Sequence, residues 1–314
     1  MTGLVVVTDH DFPDLSIERS ILGDVARVVE LDDERSELAE ADAVLNLRAE
    51  VDADAIARMG RCRVIARYGV GVDNVDVEAA ADRGIPVTNV PDYCREEVAT
   101  HALSLALSLL CGLKRYDDSV AAGDWDRGVA VPIHRFSTRT VGVVGYGAIG
   151  RAVGARVDAL GADVVASDPF LDPADVADDP AELVAFESLL DRADVVSVHS
   201  PLTEDTRGMF NAGAFDRMQS SAVLVNVARG AIVDDDALFD ALESGAIAGA
   251  GLDVFPAEPP RGDHPLRNHP LVVTTPHVAW YSEEANAERR RRTAEIVRSV
   301  LTGGKPDNVV NGVR

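Results

Sequence analysis

Short apolar runs bounded by turn residues alternate with polar, alanine-rich helical stretches, and this rhythm runs twice along the chain. The first series is Leu4–Thr8, Val25–Leu31, Ala43–Leu47, Val64–Tyr68 and Pro86–Val90. The second is Thr140–Gly145, Val164–Asp168, Val195–His199, Val223–Val227, Gly249–Val254 and Leu271–Thr275. Runs this short and apolar are strands buried on both faces, and a helix between consecutive strands is the crossover that parallel pairing demands. Two series predict two doubly wound parallel sheets, each with its own core, and so an α/β chain of two domains. A length of 314 residues with 46% hydrophobic side chains is enough to fill both cores.

Between the series a helical stretch is predicted from Arg95 to Ala122, stopped by Gly123-Asp124-Trp125 and followed by a loop over Asp126–Arg139. A second long helix is predicted over Glu283–Leu301, with its stop at Gly303-Gly304. The run Arg289–Arg292 on that helix, preceded by Glu283, Glu284 and Glu288, reads as a solvated face with ion pairs. Lys305–Arg314 is too short to found a domain and is expected to return to the first one.

The net charge is −23, with Lys114 and Lys305 the only lysines. Such a surface repels nucleic acid and anionic membranes, so neither is expected as a partner. Its excess of aspartate reads as adaptation to high salt, where counterions screen self-repulsion. An anionic substrate would then need a local basic pocket. Cys62, Cys94 and Cys111 have no zinc-ligand spacing and read as idle thiols in a reducing compartment; no metal site is expected. Ala102–Leu113 is interrupted by Ser104, Ser108 and Gly112 and is too short to span a bilayer. Met1–Asp9 lacks a basic n-region and reads as a first strand, which gives the cytosol as the expected location.

The second series opens with a strand that runs into a glycine-rich turn. Gly145, Gly147 and Gly150 fit G-x-G-x-x-G, preceded by Val141–Val144 and followed by a helical stretch. The first glycine permits the tight turn, the second lets backbone approach a pyrophosphate, and the third lets helix pack on strand. Ala148 and Ile149 lie at the helix N-terminus, whose N–H groups and partial positive charge suit phosphates. Asp168 closes the next strand 18 positions after Gly150, where a carboxylate accepts hydrogen bonds from ribose hydroxyls and repels a 2′-phosphate. The expected cofactor is NAD, with NADP less favoured.

Three later strand ends carry Arg229, Glu258 and His277, which the shared carboxyl edge of one parallel sheet can bring together across 48 positions of sequence. The set suits hydride transfer coupled to proton transfer. An imidazole gives or takes the proton, a carboxylate fixes its tautomer and stabilises the imidazolium, and a guanidinium grips a substrate carboxylate with two parallel hydrogen bonds.

Two stretches resemble the D-isomer-specific 2-hydroxyacid dehydrogenases: Asn226–Val254, with its Ala228-Arg229-Gly230 and Gly251-Leu252-Asp253-Val254, and His199-Ser200-Pro201-Leu202-Thr203 with Thr206. The resemblance covers about Ala66 to Asn311 and weakens before Ala43. It implies a Rossmann NAD-binding domain over residues 100–283 and a flavodoxin-like substrate domain made of 1–99 and 284–314. It implies catalytic roles for Arg229, Glu258 and His277. It adds His199, Pro201, Thr206, Val227, Ala228 and Asp253 to the cofactor contacts, with Asp253 on the nicotinamide carboxamide. The family's substrate loop corresponds to Tyr68-Gly69-Val70-Gly71, whose N–H groups would form a small anion nest. The family pairs through its cofactor domain, which makes the helix from Glu96 to Ala122 the expected homodimer element.

Within the family the chain looks most like the C-terminal-binding-protein branch, through Asn89-Val90-Pro91-Asp92-Tyr93, Glu96-Glu97-Val98-Ala99 and His277–Glu283. That likeness adds Arg67 as a second anion contact and Trp280 as an aromatic wall for an apolar substrate tail. It also keeps open an NAD(H)-sensing protein that recruits partners. The implied activity is reversible reduction of a 2-keto acid to a D-2-hydroxy acid, with domain closure over the substrate; glyoxylate, hydroxypyruvate and 3-phosphoglycerate remain open as substrates. Glutamate rather than glutamine at 258 argues against a formate dehydrogenase.

Overall fold

The computed structural model describes residues 3–31 and 36–313. Two compact units form: one runs to Cys94 and resumes at Ser282, and the other is Arg95–Tyr281.

The first unit holds β1 (Gly3–Val7), α1 (Ser16–Leu22), β2 (Ala26–Glu30), β3 (Ala43–Asn46), α2 (Ala53–Arg58), β4 (Ile65–Arg67), α3 (Val77–Asp82) and β5 (Val87–Thr88). Its sheet is parallel, in the order β2-β1-β3-β4-β5. Alternation along the strands splits the apolar residues between two faces. Val5, Val7, Leu45 and Ala66 pack with Leu15 and Leu22 on one face; Val6, Val44 and Ile65 pack with Ile56 and Met59 on the other. The tail returns here too, where the Val310 N–H donates to the Val87 carbonyl at 2.9 Å.

The second unit holds α4 (Arg95–Leu110), α5 (Leu113–Ala121), β6 (Thr140–Val144), α6 (Ala148–Ala159), β7 (Asp163–Ser167), β8 (Ala181–Leu183), α7 (Phe186–Arg192) and β9 (Val195–Val198). It continues with α8 (Ala212–Arg217), β10 (Val223–Asn226), α9 (Asp235–Glu243), β11 (Gly249–Leu252) and β12 (Val272–Thr274). The parallel sheet runs β12-β11-β10-β9-β6-β7-β8, so the order reverses beside β6. That reversal opens the crevice where doubly wound sheets bind ligands, at the carboxyl ends of the strands.

The single helix expected over 95–122 is two helices bent by 61°. Gly112 stands between them in the left-handed region (φ 62°). The buried stripe Val98, Ala102, Leu105 and Ala106 makes α4 a core helix, and no single described helix is long and apolar enough to cross a membrane.

The four arginines on α10 (Glu283–Leu301) do not share one solvated face. Consecutive helix positions are 100° apart, so a run of four surrounds the axis. Arg291 and Arg292 meet Glu295 and Glu288 on the surface, at 2.8 and 3.3 Å. Arg289 and Arg290 are buried and stack on the Phe12 ring, 5.0 and 4.3 Å from its centroid. Arg290 pairs with the fully buried Glu18 at 2.7 Å, and Arg289 with Asp11 at 3.0 Å. Of the thiols, Cys94 is buried and Cys111 exposed, and burial pushes the Cys62 thiol up to about 12.

Candidate active site

Six strand exits of the second sheet carry the site. After β6 the chain turns at Gly145, whose φ of 85° is left-handed. A Cβ on Gly145 would lie 2.5 Å from the Ser200 nitrogen, and one on Gly150 would lie 2.3 Å from the Gly145 carbonyl oxygen. Those two glycines are therefore required by packing. Gly147 is not: its φ is ordinary and a Cβ there would meet nothing within 4 Å. The bare backbone at Gly147 leaves room for something outside the protein, directly at the N-terminus of α6, which no side chain caps. Ala148 and Ile149 supply the next N–H groups.

Asp168, past the end of β7, is stitched to this turn. Its carboxylate accepts from the Tyr146 and Phe170 N–H groups, each at 3.0 Å. Tyr146, Gly147, Ala148, Asp168 and Phe170 line an open cavity of about 670 Å³. The clearance over Gly147, the uncapped helix end and the carboxylate beside them fit a dinucleotide: phosphates at the helix, a ribose diol at Asp168.

His199 follows β9. Its Nε2 is 2.8 Å from the Ser197 hydroxyl, and burial pushes the imidazole down to about 4, so it is neutral at pH 7. The Thr206 hydroxyl donates to the Pro201 carbonyl at 2.7 Å and accepts the Thr203 N–H at 2.8 Å, which folds the loop after His199 into a tight turn.

At the end of β10, buried Asn226 clamps the following loop from both sides. Its amide donates to the Arg229 carbonyl at 2.9 Å, and its oxygen accepts the Ala228 N–H at 3.0 Å. Val227 is buried within this loop. A Cβ on Gly230 would fall 1.9 Å from the Phe255 carbonyl carbon. Only glycine lets the Arg229 loop lie against the segment that leads to Glu258.

His277, after β12, adopts the left-handed region (φ 54°), rare for a residue other than glycine. Its backbone is held on all sides. The N–H donates to the Asp253 carbonyl at 2.7 Å and the Thr275 carbonyl at 3.1 Å, and its own carbonyl accepts the Trp280 indole N–H at 2.9 Å. Buried Asp253 takes the Val278 and Ala279 N–H groups on its carboxylate, each at 2.9 Å. Asp253 and Trp280 thus both fasten the turn that displays the imidazole.

The His277 Nδ1 lies 2.6 Å from Glu258 Oε2, and the other Glu258 oxygen accepts the Phe255 N–H at 3.1 Å. Burial alone would raise the Glu258 carboxyl, but the His277 hydrogen bond and charge, the Phe255 N–H and the Arg229 charge outweigh it and hold it below its ordinary value. An ionised carboxylate only accepts, so Nδ1 carries the proton and Nε2 is left to exchange one. The side chains of His277 and Glu258 stay 40% and 36% exposed, open enough for proton traffic.

The first unit carries the predicted substrate loop. Arg67 Nε donates to Asn74 at 2.8 Å, Asn74 donates to Asn46 at 2.8 Å, and Asn46 donates to the Thr8 hydroxyl at 2.9 Å. A Cβ on Gly69 would meet the Arg67 guanidinium at 2.1 Å, so the glycine makes room for the cation. The Gly69 carbonyl is tied to the Val90 N–H at 3.0 Å and that of Val70 to the Asn89 amide at 2.6 Å; Gly71 follows. Tyr68 differs from the rest: its side chain is fully buried and its hydroxyl meets Glu18 at 3.2 Å, so only its backbone belongs to the loop.

Sequence reasoning missed Asn46, Asn226 and Thr275, whose signal was visible only as polar residues at the ends of apolar runs. Among the described residues no group of three or more histidine, cysteine or acidic side chains could hold a metal ion.

The family model for the D-isomer specific 2-hydroxyacid dehydrogenase, NAD binding domain, matches residues 103–279. A D-3-phosphoglycerate dehydrogenase from Mycobacterium leprae is 42% identical over 273 residues, which span 87% of this chain and 51% of that protein. The chain thus spans about half the length of the first curated relatives it matches. A glycerate dehydrogenase from Methylorubrum extorquens is 37% identical over 275 residues, covering 85% of this chain and 84% of that one. The crystal structure of a D-lactate dehydrogenase from Aquifex aeolicus, complexed with NAD and lactic acid, superposes with a TM-score of 0.87 at 28% identity, covering 95% of this chain and 96% of that one. The residues that build the glycine turn and the clamped arginine loop, and His277 itself, fall within the matched span, and the chain belongs to the D-isomer specific 2-hydroxyacid dehydrogenase family.

Proposed function

We propose that this protein is an NAD-dependent dehydrogenase that interconverts a small 2-keto acid and the corresponding D-2-hydroxy acid. The observation that carries the reading is the Glu258–His277 hydrogen bond of 2.6 Å, on a strand exit of the sheet that also presents Arg229 and an uncapped glycine turn. When bound, NADH supplies the hydride to C2. His277 gives its Nε2 proton to the oxygen on C2 during reduction and takes it back during oxidation. Glu258 stabilises the imidazolium on the reverse path. Arg229 grips the substrate carboxylate, with Arg67 as a further cation for the same class of anion. The balance is one 2-keto acid, one NADH and one proton giving one 2-hydroxy acid and NAD⁺.

The relatives' names support glycerate, phosphoglycerate and lactate, or the keto acids related to them, as the substrate range. Asp168 supports NAD over NADP, since its carboxylate repels a 2′-phosphate. Leu113, Val120, Trp125, Val131 and Ile133 are exposed within one short stretch, which supports a homodimer through the NAD-binding domain; a solution mass of one chain would retire that part.

The test is NADH and NADPH oxidation with a panel of glyoxylate, hydroxypyruvate, pyruvate and longer 2-keto acids. Turnover with at least one acid and preference for NADH are expected. His277→Ala should lose turnover by about 10²-fold or more while still binding NADH. A wild-type protein inert toward the whole panel, or an alanine variant with full activity, overturns the reading.

A further inference from the structure

We propose that His101 on α4 is a positioning residue for the acid/base, acting through Thr275 and Asp253 on the turn that holds His277. The inference rests on the proposed reaction and extends it to a side chain that does not touch the reacting atoms.

Thr275 has one hydroxyl proton. Its oxygen lies 2.6 Å from Asp253 Oδ1, so the proton goes to the carboxylate. The same oxygen lies 2.9 Å from His101 Nε2, and having spent its proton it accepts there. His101 therefore carries hydrogen on Nε2, and the donor chain runs His101 to Thr275 to Asp253. His101 Nε2 also stands 3.7 Å from Asp253 Oδ1.

Asp253 is where this chain acts on the site. It is 1% exposed, so its oxygens need partners inside the protein. The Thr275 hydroxyl and the Val278 and Ala279 N–H groups supply three, and all belong to the turn around His277. The Asp253 carbonyl takes the His277 N–H itself. Asp253 is thus one of the groups that hold the left-handed backbone at His277, and the side chain that fixes its Thr275 partner comes from a helix more than 170 residues earlier in the sequence.

The test uses Thr275→Val, Thr275→Ser, His101→Phe and wild type, all as full chains. Breaking the chain at Thr275→Val or His101→Phe should lower kcat about 10- to 100-fold, the cost of a misplaced catalytic group. NADH affinity should fall much less than kcat, because the glycine turn that meets the phosphates is untouched. Thr275→Ser, which keeps the hydroxyl, should recover most of kcat. Full kcat in Thr275→Val overturns the proposal. So does a parallel loss of kcat, NADH affinity and thermal stability that serine does not rescue, because that is damage to packing. If wild type turns over no keto acid, the reaction has failed rather than the positioning. The positioning is then read from the ¹⁵N resonances of His277, assigned by their loss in His277→Ala. Unchanged His277 signals in Thr275→Val and His101→Phe overturn it.

Discussion

Glu258 shows why the residue types at the strand ends mattered more than their spacing. Its carboxyl is held below the ordinary value although burial pushes the other way, because His277, the Phe255 N–H and Arg229 all favour the charged form. A group with a lower value folded than unfolded adds stability that is complete above its unfolded value and disappears as pH falls through its folded one. Glu258→Gln keeps an acceptor near Nδ1 but removes the charge. We expect its kcat to fall about 10²-fold, in line with general acid–base contributions, with NADH binding retained. In acid titrations followed by circular dichroism, wild type should lose more stability below the normal carboxylate range than the variant; equal acid sensitivity would contradict the pairing. Arg229, Glu258 and His277 were picked out in the sequence because they lie just past apolar runs and also match the family's motif positions. The residues that aim them were not: Asn226, Thr275 and His101 act through hydrogen bonds to partners that only the folded sheet brings near, and nothing in their type separates them from surface polar residues.

Elements were legible where periodicity was strong and illegible where packing decided. Both strand series were readable from apolar runs; β8 was not, with three residues and a glutamate in the middle. The break between α4 and α5 was visible as Gly112 but not as a bend, because a Cβ there would strike Ala130, a contact made across 18 positions. The arginine run of α10 misled for a related reason, since a charged run says nothing about which face a helix turns inward. Arg290 and Glu18 form a buried ion pair that joins α10 to α1, with the Tyr68 hydroxyl and the Asp14 carbonyl completing the hydrogen bonds. Removing one partner leaves a charge with no solvent and no counterion. Arg290→Met should therefore cost about 3–5 kcal/mol, read as a lowered urea midpoint. The double variant Glu18→Leu/Arg290→Met should regain most of it, because an apolar pair of similar volume has no desolvation to repay. A single variant as stable as wild type would mean the pair contributes only packing.

At the scale of the whole molecule the dominant quantity is charge: 53 acidic against 30 basic side chains, a net of −23. Salt acts on this in two opposed ways. It weakens the surface ion pairs, such as Arg192–Glu182 and Arg217–Asp191, which solvent already screens. It also relaxes repulsion among the carboxylates that have no basic partner. The excess of acid over base decides the sign, since more charges repel than pair, and the folded chain holds them closer than the unfolded one does. We therefore expect the melting temperature to rise between low salt and molar KCl. The shape of the rise identifies its cause. The Debye length shrinks from roughly 10 Å at 0.1 M to about 3 Å at 1 M, so a gain from screening levels off once that length falls below the spacing of surface carboxylates. A gain from exclusion of salt from the apolar surface keeps climbing with concentration. A melting temperature that rises steeply below about 0.5 M and then flattens places the effect in the carboxylates; one that is flat throughout, or falls, means that the acidic surface does not limit stability and the case for adaptation to salt ends there.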